Sequence, residues 1–387
     1  MNDCDLYAGR EQTLVKHTIL RSYLERFAHI VGYHWDTITY VDCFSGPWNE
    51  HAADLHDTSF YIALQQLRSA RKHLRDSGRD FALRCFFLEK DPARYRQLER
   101  FAGTVSDAEV KTRNAALEDS VDDILAFVHR RQHDAFPFIF IDPTGWTGFA
   151  MPTIQPLLQL KPGEILINLM TGHILRFIEH SDPTLQRGFD ALFGSSEYRA
   201  EIAGLAGLDR EDTIVRCYCD AVKASGRYEH VCPAIVLQPE TNRTHFHLLY
   251  ATRHIRGMEV FKESEKQAMQ VMEQSRAEAQ QRSRVELSGQ GELFPAQELR
   301  DARHYDRLRD RYLTAAETAV KRLLQAKVPA SYDQAWITAL SHSLVWQSDL
   351  NAWISKWVNQ GRLQVTGRKP RQRVLKPGAG HQLIWIP

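Results

Sequence analysis

The sequence predicts an α/β fold: a doubly wound, mostly parallel sheet followed by a small basic domain. Three observations lead there. Short apolar runs alternate with helical patterns from residue 11 to residue 169, as in a parallel sheet with helices on both faces. Two further apolar runs, 234–238 and 246–252, are joined by a link too short for a helical crossover, so they pair antiparallel. Beyond about residue 306 the chain becomes basic and reads as helices followed by two strands.

Each element has its own signal. Residues 11–31 space Leu14, Ile19, Leu20, Tyr23, Leu24, Phe27, Ile30 and Val31 along one helical stripe. A strand over 37–41 precedes a helix over 58–76. Strand 83–88 (LRCFFL) precedes helix 93–101, and a weaker strand, 109–112, precedes helix 121–132. The run FIFI at 138–141 is a buried strand, 152–160 a helix, and EILINL at 164–169 another buried strand. A mostly helical insert over 172–230 delays the terminal hairpin. Five parallel strands and a hairpin give the plan of a Rossmann-like, seven-stranded methyltransferase sheet, whose last strand is antiparallel. Residues 1–270 form this domain. Residues 271–305, rich in Gln, Glu, Arg and Ser, read as a frayed helix and polar linker. In 306–387, helices over 306–327, 332–340 and 348–358 (Ser348 or Asp349 as N-cap) lead to strands over 361–365 and 381–386 with a basic turn between them. That outline resembles a winged helix, and the domain is winged-helix-like.

At 387 residues the chain exceeds one compact core of the usual ~100–200. Its net charge of +1 hides an asymmetry: residues 311–387 hold 11 Lys/Arg against 3 Asp/Glu, the remainder 38 against 45. A basic tail on a mildly acidic body calls for an anionic partner. No run approaches the ~20 apolar residues of a membrane helix, so no membrane partner is expected. The opening MNDCDLYAGREQ is polar and acidic, unlike a signal peptide. Six scattered cysteines, with only Cys217 and Cys219 close together, read as reduced core thiols of a cytoplasmic protein, and no metal site is expected.

In a doubly wound sheet ligands sit at the carboxyl ends of the strands, where the order switches. The turn DCFSGPW leaves the first strand there, so Asp42, Phe44, Ser45 and Gly46 are placed at a cofactor; alternatively Gly46 serves only a turn of positive φ. Glu89, directly off the second strand in LEKDP, suits a ribose diol, and Asn114 after the third strand suits an adenine amino group or else is a turn residue. In FIDPTGW, Asp142 with Pro143 can hold an amino group by its hydrogen, and Trp146 can stack on a flat base. The stretch resembles the Asp-Pro-Pro-aromatic motif of amino-group methyltransferases, with Thr144 in place of the second Pro and the aromatic one place later. The first turn lacks G-x-G-x-x-G, which argues against a nicotinamide cofactor.

Five stretches in order, KHTILRSYL (Lys16 to Leu24), YVDCFSGPW, FLEKDP, FIDPTGW and ATRHIRGMEVFKE (Ala251 to Glu263), resemble the three-Cys-motif partner proteins of bacteria and phages over about residues 11–270. The resemblance implies a methyltransferase-like Rossmann fold and a partner protein encoded nearby that carries the three cysteines; the strand plan, that of S-adenosylmethionine methyltransferases, makes S-adenosylmethionine the expected cofactor. The resemblance carries Asp42, Gly46, Glu89, Asn114 and Asp142 into the cleft. Lys16 and His17, on a segment that can close over the cofactor, become candidate contacts to its carboxylate or to substrate, and His254, after the last strand, a candidate contact to substrate. Arg368, Lys369, Arg371 and Arg373, in the basic turn, are candidate contacts to nucleic acid, DNA or RNA.

The function expected is therefore that of an S-adenosylmethionine-dependent methyltransferase acting on or bound to nucleic acid. Two other readings stay open: a non-catalytic DNA-binding scaffold for the partner, and a nuclease holding Mg²⁺ on Asp42, Glu89 and Asp142.

Overall fold

A computed structural model of the chain describes residues 6–46, 55–131, 134–289, 296, 303–368 and 374–386. Helix α1 (Glu11–His34) leads into β1 (Thr37–Asp42), and the chain then alternates α2 (Ser59–Asp76), β2 (Ala82–Leu88), α3 (Pro92–Gly103), β3 (Glu109–Arg113), α4 (Val121–His129), β4 (Ala135–Ile141), α5 (Met151–Leu158) and β5 (Glu164–Leu169). The insert consists of α6 (Thr171–Phe177), α7 (Pro183–Phe193), α8 (Tyr198–Ile202) and α9 (Gly207–Gly226). Then come β6 (His230–Leu237), β7 (Thr244–Thr252) and α10 (Ile255–Ser288).

The strands form one seven-stranded sheet in the order β3-β2-β1-β4-β5-β7-β6. Strands β1 to β5 pair parallel, while β7 runs antiparallel to both β5 and β6. This is the Rossmann-like methyltransferase sheet expected from the sequence. Its continuous apolar runs follow from burial on both faces. Tyr40, Cys85, Phe87, Phe138 and Phe140 turn to a core covered by α1, α2 and α10. Val41, Phe86, Leu88, Ile139 and Ile141 turn to a core covered by α4, α5, α7 and α9. Successive residues of a strand point to opposite faces, so each strand feeds both cores.

The remaining described residues form α11 (Arg303–Ala326), β8 (Ala330–Ser331), α12 (Tyr332–Leu340), α13 (Gln347–Asn359), β9 (Leu363–Thr366) and β10 (Gln382–Trp385). Three helices pack on an antiparallel sheet in the order β8-β10-β9. Trp346 is the N-cap of α13; Asp349, three residues on, accepts from the Trp346 N–H at 2.7 Å, where the sequence had pointed to Ser348 or Asp349 as the cap itself.

Of the frayed helix and linker expected over 271–305, the part as far as Ser288 is a regular continuation of α10. Its inner face explains why: Met272, Ala277 and Ala279 are buried, and Arg276 donates to Gln238 O (3.2 Å) and Asn242 Oδ1 (2.8 Å), pinning the β6–β7 turn. The C-terminal block is docked on the body. Lys262 Nζ donates to His342 O (2.8 Å), Glu265 accepts from Leu344 N (3.0 Å), and Ser343 donates to Pro233 O (3.1 Å). Arg311 and Tyr312 of α11 bond Asp212 of α9 at 2.6 and 2.8 Å.

Candidate active site

Because β1 to β5 are parallel, their carboxyl ends share one edge of the sheet, and the start of the reversed β7 joins that edge. A cleft of about 620 Å³ opens there. Arg10, the N-cap of α1, and Lys16 and His17, near the start of that helix, roof it.

On the β1 side the turn is built from within. Asp42 is enclosed: Phe44 N donates to its Oδ1 (3.1 Å), and Ser59 Oγ donates to its Oδ2 (2.6 Å). Burial pushes its carboxyl up to about 6, against the pull of those two donors. Ser45 is also buried. Its Oγ donates to Asp42 O (2.8 Å) and accepts from Leu88 N (3.2 Å), which clips the turn to the end of β2. Asp42 and Ser45 therefore hold the turn from beneath and do not line the cleft, whereas Phe44 and Gly46 do. Gly46 is not at positive φ. A Cβ there would fall on the Glu89 carboxylate; bare backbone is needed for that close approach.

Glu89 lines the cleft as expected, with Asp91 N donating to its Oε1 (2.6 Å). Its Oε2 is the oxygen nearest Gly46. Asn114 does not line the cleft. Its Nδ2 donates to Glu89 O (2.8 Å) and Lys90 O (3.1 Å), so it braces the loop that carries Glu89.

On the β4 side Asp142 and Pro143 line the cleft. Lys16 Nζ meets Asp142 Oδ2 at 2.5 Å, and Asn168 Nδ2 donates to Asp142 Oδ1 at 2.7 Å. Trp146 does not line the cleft. It stacks on Phe189 of α7, ring centroids 4.2 Å apart, and occupies the space a side chain at Gly188 would need. A ring spent on packing the insert to the β4 loop is not a platform for a base.

His17 lines the roof but is a buried strut. Its Nδ1 lies 2.9 Å from Tyr7 OH, and burial, then the charges of Lys16, Arg21 and Arg10, push it well below the usual histidine range. His254 sits at the wrong edge. It follows β7, whose end lies beside the start of β5, and it caps α10 by accepting from Arg256 N (3.1 Å). Its place in the cleft is taken by His245, at the start of β7, with His173 of α6 on the same wall. Burial lowers the pKa of His245, which favours the neutral ring. Of the basic turn, Arg368 is exposed, and Lys369, Arg371 and Arg373 lie outside the described residues.

Sequence reasoning missed Arg10, Asp57, Asn168, His173 and His245. Asp57 binds Arg10 at 2.5 Å in a buried pair on the cleft wall. Asn168 had a signal: it is the one polar residue inside the run ILINL. It is 3% exposed, and its Oδ1 meets no hydrogen-bond donor among the described residues. Asp42, Glu89 and Asp142 do not assemble as a trio, since Asp42 is sealed beneath the turn; the arrangement expected for a Mg²⁺ nuclease is not formed.

No family model and no curated protein sequence matches the chain. Among solved structures it is similar to a Legionella pneumophila protein of the DUF519 family (12% identity, TM-score 0.33, 61% of this chain and 84% of that one). It is also similar to a DUF574 family protein from Streptomyces avermitilis (10%, 0.31, 61% and 83%) and to loganic acid methyltransferase with S-adenosylhomocysteine (8%, 0.30, 67% and 82%). Among the described residues, no helix is long and apolar enough to cross a membrane.

Proposed function

We propose that the cleft binds S-adenosylmethionine and that the protein is a methyltransferase of the Rossmann-like class, acting on nucleic acid. The observation that carries the reading is the meeting of Glu89 and Gly46. An acid directly off β2 is pressed against bare backbone of the β1 turn, at the switch point of the sheet. Glu89 takes the ribose hydroxyls. The Phe44–Gly46 turn carries the methionine part, and the sulfonium faces the wall of Asp142, Asn168 and His245. Catalysis then consists of holding a nucleophile in line with the methyl carbon, at the ~3 Å of a near-attack geometry.

The nucleic acid reading rests on the C-terminal block, whose helices, three-stranded sheet and six Lys/Arg with no acid over 362–376 suit a winged helix gripping phosphate. The protein with three cysteines, implied by the family resemblance, is proposed as its partner. Two observations favour a second reading, a cofactor-binding scaffold without turnover: both Asp142 oxygens are occupied by Lys16 and Asn168, and Trp146 is turned away.

Calorimetric titration of S-adenosylmethionine and S-adenosylhomocysteine into the full chain tests the cofactor. Micromolar binding is expected, reduced at least tenfold, about 1.4 kcal/mol, in Glu89→Ala. Absence of binding at millimolar ligand would reject the reading.

A further inference from the structure

The cofactor reading leaves the Lys16 amine unexplained. Across the sheet the strand ends run β2, β1, β4, β5. With the ribose at Glu89 and the methionine part over the β1 turn, the sulfonium methyl faces the next strand end, that of β4, where Asp142 stands. The group found at Asp142 is a primary amine of this same chain. Lys16 reaches down from α1, 126 residues away in sequence, and places Nζ 2.5 Å from Asp142 Oδ2 inside the cleft. Its side chain is 13% exposed, so the amine is largely shielded from bulk water yet open to the cavity. Asn168 holds the other Asp142 oxygen and keeps the carboxylate from turning away. A lysine amine on a four-carbon stem is a flexible, strong nucleophile once it has lost a proton.

We propose that Lys16 is a self-methylation site, its amine being the first methyl acceptor the cleft presents to S-adenosylmethionine. The inference rests on the cofactor reading above. Nζ gives one proton to Asp142 Oδ2, the acceptor it already faces. The nitrogen lone pair then forms the N–CH₃ bond, and the C–S pair leaves with sulfur. A methylammonium and the neutral thioether S-adenosylhomocysteine result. Asp142 then passes its proton to solvent through the open cleft; because the product keeps its positive charge and its N–H donors, it pairs again with the Asp142 carboxylate, while the added methyl fills part of the acceptor end of the cleft. Modification thereby changes which acceptor fits without dismantling the site.

The test uses the full chain, S-adenosylmethionine and intact-mass spectrometry, with fragmentation of the peptide spanning residue 16 and calorimetry of cofactor binding on the same sample. A gain of one methyl mass is expected, located at Lys16, with one equivalent of S-adenosylhomocysteine formed. Methyl already on Lys16 in the protein as purified supports the inference equally. The Lys16→Arg variant is expected to lose the incorporation. Cofactor binding with no methyl at residue 16, or with methyl only elsewhere, would overturn the inference and leave the cofactor reading standing. No cofactor binding at all would overturn both.

Discussion

At the scale of single residues, the site is a set of acids with different tasks that their neighbours assign. Asp42 carries no exposed oxygen and serves the turn; Glu89 faces the cavity; Asp142 is shared between an ammonium and an amide. The buried Asp42 has a measurable signature. Its folded pKa, about 6, lies above the ordinary 3.8, so the native state binds the extra proton between those values. Its stabilising contribution is full below about pH 4 and is lost as pH rises through 6, a swing of about 3 kcal/mol. Urea unfolding of the full chain against Asp42→Asn over that range is expected to give a difference curve that climbs in favour of the variant as pH rises. A flat difference would mean that Asp42 ionises freely.

At the scale of elements, polar pairs inside the packing decide how helices sit. Lys262 and Glu265, one turn apart on α10, are both buried and bind each other at 2.5 Å while reaching the loop before α13. Burial pushes the Glu265 carboxyl up, and the Lys262 charge pulls it back. Removing one partner strands the other. Lys262→Met is expected to cost about 3–5 kcal/mol, and adding Glu265→Gln, which still accepts from Leu344 N, to recover part of that loss in chemical denaturation. Equal instability of the single and double variants would show that stranded charge is not the cause. The stack of Trp146 on Phe189 belongs to the same scale: it joins the β4 loop to the insert, the role that removed Trp146 from the acceptor site.

At the scale of the whole molecule, the C-terminal block shares its core with the body. Leu308, Val320, Trp336 and Leu350 belong to one apolar cluster with Tyr23, Phe138 and Met269. Shared burial couples unfolding, so calorimetry of the full chain is expected to show one cooperative transition for the block and the sheet. Two well-separated transitions would contradict the docking through α9 and α10. The described part of the C-terminal block is therefore held in place on the body that carries the cleft.

The sequence by itself determined the sheet, the reversed last strand, the turn after β1, and the places of Glu89 and Asp142 directly after strand ends. These are local facts: a strand buried on both faces is a continuous apolar run, and a cleft residue follows a strand end. Tertiary structure alone decided what the candidate residues do. His254 gave way to His245 because β7 runs backwards and its start, not its end, meets the cleft. Trp146 was claimed by a ring 43 positions further along, and Asn114 by the carbonyls of Glu89 and Lys90 in the loop after β2. Lys16 met Asp142 across 126 residues. Helical and strand periods are written in neighbouring residues, whereas partners brought together by strand order and helix packing leave no local pattern.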